Sequence, residues 1–346
     1  MRWLRYLAFA LALAFLALTV VNASWLAPEP KGAVKLIAHR GLHQLPDPAA
    51  GAAEPCPGTR IELPAHDYLE NTVRSIERAA SLGAHMIALD VAPTADGQIA
   101  VFGDETLDCR TDGSGAVREH TMAALKALDA GYGYRAEGET YPFRGTATGA
   151  IPTLAEAIRA AGRARLLYRF TGEDAGEADL LAAALRAAGR DPVAAGDGFY
   201  GADAPVSRIG AIYPDAWAFS KARAEACTGA YMLQGWFGIV PAACEGGTLT
   251  IPLDRQWAFA GWPNRLIARM EEAGARVIVV APGEGEDLRG LQFPEQLGDI
   301  PASFNGYAWV DDGFTVVPAL INRFDDRSQA EIDAAQAALE RRRAAR

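Results

Sequence analysis

Residues 86–103 read MIALDVAPTADGQIAVFG, in which two short apolar runs enclose a turn rich in Thr, Asp and Gly. These runs predict strands over 86–91 and 98–102. On both sides, similar runs alternate with Ala-rich stretches whose apolar residues recur at intervals of three and four, which is typical of β/α units around a parallel sheet. Further strands are predicted at 34–38, 165–170, 192–195, 216–220, 248–252, 276–281 and 306–311. The clearest predicted helices lie at 71–82, 153–162, 176–188 and 263–273.

The number of repeats favours one large barrel. Roughly eight β/α repeats over about 280 residues fit a (β/α)8 barrel, while a doubly wound open sheet is the alternative. The chain has 346 residues, of which 50% are hydrophobic and 22% charged, a composition that supports a sizeable core. We therefore predict an α/β fold, a TIM-type barrel forming a single domain over 33–323. A C-terminal helical tail is predicted over 324–346.

The amino terminus has the pattern of an export or membrane segment. Arg2 and Arg5 precede an apolar run over 6–21. The small residues around Ala23 suit signal peptidase, yet the apolar character continues through Leu26 and is nearly long enough to cross a bilayer. Residues 1–23 are thus predicted to be either a signal peptide or an N-terminal membrane anchor. In both cases the remainder is exported to the periplasm or cell envelope, anchored to the inner membrane if the segment is retained.

The four cysteines predict disulfides, because an even number in an exported chain is typical of them. The preferred pairing is Cys56 with Cys109 and Cys227 with Cys244, which makes two local cross-links; the other two pairings stay open. The spacings usual for a zinc site do not occur in the sequence.

The charge and the histidines limit the possible functions. With 43 acidic residues against 33 Lys and Arg, the formal charge is -10, so the basic face that a nucleic-acid partner requires is not expected. All five histidines fall within the first 120 residues. Any imidazole chemistry must therefore come from this third of the chain.

Four short motifs follow one another in the first half of the chain. His39-Arg40-Gly41 ends the first predicted strand, and Glu70-Asn71-Thr72 opens the first helix. Thr94-Ala95-Asp96-Gly97 and Ile151-Pro152-Thr153-Leu154 come later. In this order and at these intervals, the motifs resemble those of the glycerophosphodiester phosphodiesterase family. The resemblance is specific over about 34–160, and beyond it the chain offers only compatible β/α repeats.

This resemblance implies a barrel enzyme that hydrolyses glycerophosphodiesters in lipid metabolism, with a small-molecule substrate and a divalent metal, calcium or magnesium. In the family, two histidines act as general acid and base, and a Glu-x-Asp pair with a later strand carboxylate holds the metal. Carried over, His39 is the expected catalytic residue and Arg40 a phosphate-binding residue. Asp90, from the Glu-x-Asp pair, is an expected metal ligand, and Glu70 is a nearby carboxylate that is expected to substitute for a further one.

The sequence departs from the family pattern at three places. Ala88 stands for the Glu of Glu-x-Asp, and Gly103 for the second histidine, next to Asp104, a further site candidate. The strand expected to carry the third carboxylate offers Tyr168 or Arg169 instead. The Arg169 guanidinium is predicted to bind phosphate in place of the cation, in which case the protein needs no metal. The alternative function is therefore a catalytically degenerate relative that binds phosphodiesters or an envelope component without turnover.

Overall fold

The computed structural model describes residues 2–48, 56–282 and 288–345. Contacts between residues group the chain into two compact units. Unit 1 consists of Met1–Lys35, Lys221–Arg289 and Gly298–Trp309, and unit 2 of Leu36–Ser220, Gly290–Leu297 and Val310–Arg346. The domain limits expected from the sequence, 33–323 with a tail over 324–346, remain predictions.

The strands and helices alternate along the chain. The strands are β1 Lys35–His39, β2 Met86–Pro93, β3 Ile99–Val101, β4 Arg165–Phe170, β5 Gly198–Gly201, β6 Trp217–Ser220, β7 Thr248–Pro252, β8 Arg276–Val280 and β9 Tyr307–Val310. The α-helices are α1 Arg2–Val21, α2 Val73–Ser81, α3 Met122–Lys126, α4 Leu154–Ala161, α5 Gly176–Ala187, α6 Pro192–Ala195, α7 Asp203–Ile212, α8 Lys221–Gln234, α9 Asn264–Glu272, α10 Gly313–Leu320 and α11 Gln329–Ala344. This order confirms the predicted α/β class and the (β/α)8 barrel fold.

Unit 2 contains five parallel strands. Strand β1 pairs with β2, β2 with β4, β4 with β5, and β5 with β6. Strand β2 is buried from Met86 to Ala92, as expected for a parallel strand covered on both faces. The predicted strand at 98–102 is present as β3, but it pairs antiparallel with β2. The β2–β4 register places Asp90 directly opposite Arg169.

One strand prediction is wrong. Residues 192–195 form the short helix α6 rather than a strand, and the strand of this repeat is β5, at 198–201. The reason is the Asp191-Pro192 pair, in which the Asp191 side chain accepts hydrogen bonds from the amides of Val193 and Ala194. An Asp cap followed by Pro at the first helical position is a helix-start signal, and it overrides the apolar run.

Unit 1 contains β7, β8 and β9, which pair in parallel, together with α1, α8 and α9. Helix α1 is 20 residues long, has no buried residue and is apolar enough to cross a membrane by length and composition. The predicted cysteine pairing is confirmed: Cys227 bonds to Cys244 in unit 1 and Cys56 to Cys109 in unit 2.

Candidate active site

The His39-Arg40-Gly41 motif leaves the end of β1 through two residues in the left-handed backbone region, with φ 57° at Arg40 and 76° at Gly41. Asn71 also has a left-handed backbone, with φ 59°, and its backbone N–H donates a 2.9 Å hydrogen bond to the Arg40 carbonyl. A Cβ on Gly41 would lie 2.7 Å from Oγ of Ser75, so glycine allows close contact with α2. Non-glycine residues seldom adopt this conformation, and those that do are often at functional sites.

A carboxylate from the far end of the chain orients His39. Nδ1 of His39 lies 3.0 Å from Oδ1 of Asp311, which directly follows β9. The other oxygen of Asp311 accepts a hydrogen bond from the Gly290 amide at 2.8 Å. Burial alone would raise the pKa of Asp311, but the hydrogen bond and charge of His39 bring it below its ordinary value. The ionised carboxylate favours a proton on Nδ1 and makes Nε2 of His39 the atom for proton transfer.

A second imidazole, that of His43, lies beside His39. The two ring centroids are 5.3 Å apart in an edge-to-face arrangement, and Nδ1 of His43 is 2.9 Å from the backbone oxygen of His39. Burial and the neighbouring His39 lower the pKa of His43. His43 is therefore a neutral imidazole at neutral pH.

Asp90 is held by three partners from three segments. Oδ2 of Asp90 lies 2.8 Å from Nε of Arg40 and accepts a hydrogen bond of 2.8 Å from the side-chain amide of Asn71. Oδ1 lies 3.2 Å from Nη1 of Arg169. The residue is fully buried. Burial would raise the pKa of Asp90, but the two guanidinium groups lower it well below the usual range. The carboxylate is therefore ionised and its oxygens already accept strong donors.

Glu70 belongs to a second buried network, built around Arg110. The guanidinium of Arg110 contacts Oε1 of Glu70, pairs with Asp104 at 2.8 Å and donates to the Tyr134 hydroxyl at 2.9 Å. Tyr134 in turn donates to Glu70. Burial would raise the pKa of Glu70, but the charges of Arg110 and Arg40 lower it. Arg110 is thus the cation that lies between two of the predicted site carboxylates.

The structure separates the two candidates on β4. Tyr168 is fully buried and donates its hydroxyl to Asp197 at 3.2 Å, whereas Arg169 reaches Asp90. The side chain of Arg169 is 22% exposed, so solvent and solutes reach part of it. Of the two, Arg169 is the residue that joins the site.

Gly103, at the position where the resemblance leads us to expect a second histidine, packs against Asp90. A Cβ built on Gly103 would lie 2.6 Å from Oδ2 of Asp90 and 3.4 Å from the Asn71 side-chain amide. The paired carboxylate therefore fills the space that a side chain at position 103 would enter.

A calcium or magnesium ion held by Asp90 and Glu70 does not fit these side chains. Such an ion needs six or more oxygen ligands. Both oxygens of Asp90 and Oε1 of Glu70 already face guanidinium groups, and Oε2 of Glu70 accepts a hydrogen bond from the Tyr134 hydroxyl. Elsewhere in the described ranges, one ligand atom each from His39, His43 and Asp311 come within 4.8 Å of one another and could hold a metal ion. Imidazole ligands suit transition metals better than calcium or magnesium.

The model of the glycerophosphoryl diester phosphodiesterase family matches residues 63–173. This range contains Glu70, Asp90, Gly103, Arg110 and Arg169. The family resemblance is confirmed over these residues, which do not include the His39-Arg40-Gly41 motif.

Two curated glycerophosphodiester phosphodiesterases show the same similarity. One, from Caldanaerobacter subterraneus, is 45% identical over 75 residues, which are 21% of this chain and 31% of the relative. Another, from Bacillus subtilis, is 38% identical over 97 residues, 27% of this chain and 32% of the relative. The similarity therefore spans about a third of the length of these glycerophosphodiester phosphodiesterases.

Solved structures of glycerophosphodiester phosphodiesterases match most of the chain in fold. The enzyme from Agrobacterium tumefaciens aligns with a TM-score of 0.55 and 21% identity, over 84% of this chain and 99% of that one. A phosphodiesterase domain from Mycobacterium tuberculosis aligns with a TM-score of 0.60 and 18% identity, over 84% and 100%. An Oleispira antarctica phosphodiesterase, solved with its product sn-glycerol-3-phosphate, aligns with a TM-score of 0.52 and 19% identity, over 85% of this chain and 98% of that one. At these identities the likeness concerns the fold alone.

Sequence reasoning missed three residues of this cluster. Arg110 looks like part of a turn beside Cys109, and Tyr134 lies in no motif. Asp311 is the last residue of the strand predicted at 306–311, and that position was the available signal, because barrel enzymes carry their chemistry where strands end.

Proposed function

We propose that this protein is a phosphoric diester hydrolase of the glycerophosphodiester phosphodiesterase type, with His39 as its acid/base. The observation that carries the proposal is the 3.0 Å contact between His39 and the ionised Asp311. The pair lies at the carboxyl end of β1, on the edge of the sheet where barrel enzymes act.

In this proposal His39 removes a proton from the attacking hydroxyl, which belongs to water or to the substrate's neighbouring alcohol. Asp311 holds the ring and stabilises the imidazolium that forms, as a carboxylate does in other histidine-based hydrolases. The phosphate takes up the nucleophile's electron pair and the bond to the leaving alcohol breaks. Because position 103 has no imidazole, the leaving oxygen takes its proton from solvent, and His39 then releases the proton it removed to solvent.

Guanidinium groups take over the binding of phosphate. Arg40 and Arg169 lie on opposite oxygens of Asp90, and Arg169 is partly exposed. Arginine binds phosphate oxygens through two parallel donors and keeps its charge at all relevant pH values. His39 and the two arginines carry out these steps without a calcium or magnesium ion.

A second candidate function is binding without turnover. It is favoured by the fully paired carboxylate of Asp90 and by the absence of a side chain at Gly103. A site that binds the phosphodiester and its transition state equally well does not accelerate hydrolysis. The ligand would then be a phosphodiester or another anionic envelope component.

We further propose that the protein acts outside the cytoplasm, in the periplasm or cell envelope, on deacylated phospholipids. The two disulfides and the apolar helix α1 support export. Glycerophosphodiesters released from lipids are small and soluble, and they fit an exported enzyme of this type.

Release of alcohol by the purified full-length protein tests both functions. The substrates are glycerophosphodiesters with choline, ethanolamine and glycerol head groups, and a nitrophenyl phosphodiester whose leaving group departs without a proton. We expect turnover of both kinds, fastest for the nitrophenyl ester, and a loss of at least about 100-fold in His39→Asn. His120→Gln, which changes a histidine outside the site, is the control. Thermal stabilisation by glycerol phosphate without turnover of any substrate would instead support binding.

A further inference from the structure

The end of helix α1 is built into unit 1. Arg269, on α9, is only 8% exposed and donates to the backbone oxygen of Val21 and to Oδ1 of Asn22, both at 3.0 Å. The same guanidinium donates to the Tyr231 hydroxyl and the Gly235 oxygen, both at 3.1 Å. Two of these four acceptors therefore belong to the segment that a signal peptidase would remove.

Neighbouring contacts tie the same junction to the folded unit. The side-chain amide of Asn22 donates a hydrogen bond to the Trp236 carbonyl at 2.7 Å. Oγ of Ser24 accepts a hydrogen bond from the backbone N–H of Asn264 at 2.9 Å. Ala23, the residue before the predicted cleavage point, is 2% exposed. A Cβ on Gly238 would lie 2.8 Å from Val21, so glycine permits this close packing.

Cleavage after Ala23 would leave Arg269 buried with half of its acceptors gone. An uncompensated buried charge is among the more destabilising changes a fold can undergo. The junction thus has the contacts of a permanent part of unit 1 rather than of a removable leader.

An exposed apolar patch adjoins this junction. It consists of Trp25, Leu26, Leu233, Trp236, Phe237 and Ile239, all between 44% and 76% exposed. Trp236 and Phe237 lie in the chain between Gly235 and Gly238. The carbonyl of Gly235 accepts a hydrogen bond from Arg269, and Gly238 packs against Val21. Exposed apolar side chains gathered in one region are uncommon in soluble monomers and mark a contact with a partner or a membrane.

The partner follows from α1. A helix of 20 residues is about 30 Å long, the thickness of the hydrocarbon core of a bilayer. With Arg2 and Arg5 on the cytoplasmic side, Val21 lies at the opposite membrane surface. Residues packed against the end of a spanning helix then lie at the depth of the lipid head groups, where Trp is enriched.

We propose that α1 is retained as an anchor and that the apolar patch lies in the boundary between head groups and acyl chains of the bilayer. Unit 1 is then in contact with the membrane through folded residues as well as through α1. The proposal is independent of the chemistry at His39.

The first test is the intact mass of the full chain after expression in an exporting bacterial host. We expect the protein in the membrane fraction with residues 2–23 present. A mature protein that begins at Ser24 would overturn the proposal.

The second test measures the fluorescence emission of Trp236 as the difference between the wild type and a Trp236→Tyr variant. Full-length wild type and Trp236→Tyr are placed in phospholipid nanodiscs with ordinary or brominated acyl chains, since bromine quenches nearby indole emission. We expect the wild-type-minus-variant emission to fall by more than half in brominated lipid. Unchanged difference emission would overturn the proposal, and a dimeric protein mass in the same discs would then assign the patch to a second copy of the chain.

Discussion

Nδ1 of His39 lies 3.0 Å from Oδ1 of Asp311, although the two residues are 272 positions apart in the sequence. This contact connects the end of β1 with Asp311, the residue that follows β9. A carboxylate in this position selects the imidazole tautomer and stabilises the imidazolium formed during proton transfer.

Asp311→Asn should lower kcat for phosphodiester hydrolysis by about 10²- to 10⁴-fold with little change in thermal stability, because the amide keeps the shape but loses the charge. The measurement is a steady-state assay with the nitrophenyl phosphodiester. Asp67→Asn, which alters an exposed carboxylate in a surface pair with Arg74, is the control and should retain full activity. Equal rates for wild type and Asp311→Asn would show that this carboxylate does not assist His39.

Gly103→Ala should destabilise the protein by about 1 to 3 kcal/mol, because its Cβ would lie 2.6 Å from the buried Asp90 carboxylate. The matched control is Gly210→Ala in α7, where a Cβ meets nothing within 4 Å. Removing a helical glycine there should stabilise by about 0.5 to 1 kcal/mol. Urea unfolding of both variants measures the difference. If Gly103→Ala left the free energy of unfolding unchanged, the Asp90 carboxylate would not be fixed next to Gly103. A histidine could then be placed at position 103 without displacing Asp90.

Arg110→Met should cost about 3 to 5 kcal/mol of unfolding free energy, because it leaves Glu70 and Asp104 without their buried cation. Arg74→Met, which removes an exposed pair, should cost less than about 1 kcal/mol. Chemical denaturation at neutral pH compares the two. Similar losses in both variants would contradict a structural role for the Arg110 network.

Acid should destabilise the protein partly through His66. Burial lowers the pKa of His66 to about 4 from its ordinary 6.5, and its Nδ1 accepts a hydrogen bond from the Tyr68 amide. Because the folded-state pKa is depressed, the contribution is complete above pH 6.5 and is lost as the pH falls towards 4. It amounts to at most about 3 kcal/mol.

The check is the melting temperature of wild type and His66→Asn at pH 7.5 and 4.5. Other buried groups titrate in both proteins, so the readout is the difference between the two pH-dependent losses. Wild type should lose more stability than His66→Asn. An equal loss would mean that His66 is protonated in the folded protein.

The fold was largely predictable because it follows from local periodicity. Strand β2 and helix α2 each carry their pattern within a few residues, and Thr153 with Glu156 forms the capping box that starts α4 at the fourth motif. The error at 192–195 arose where a capping pair, Asp191-Pro192, competed with an apolar run. Two local signals conflicted there, and the helix-start signal prevailed.

The site was predictable only in part, because its partners are distant in sequence. His39, Arg40 and Asp90 lie in or between motifs. Arg169 contacts Asp90, and its replacement of a cation stays a hypothesis. The Arg110–Glu70 pair depends on how the segment next to the Cys56–Cys109 disulfide folds back. No periodicity or spacing in the sequence encodes that contact.

We propose that arginine side chains take the place expected for a divalent metal, while His39 moves the proton. The most direct test is the initial rate of phosphodiester hydrolysis in EDTA, in calcium and in magnesium, with calorimetric titration of each metal into the same protein. We predict one rate under all three conditions, no tight binding of either ion, and loss of activity in His39→Asn. Activity that EDTA abolishes and calcium or magnesium restores would contradict the claim.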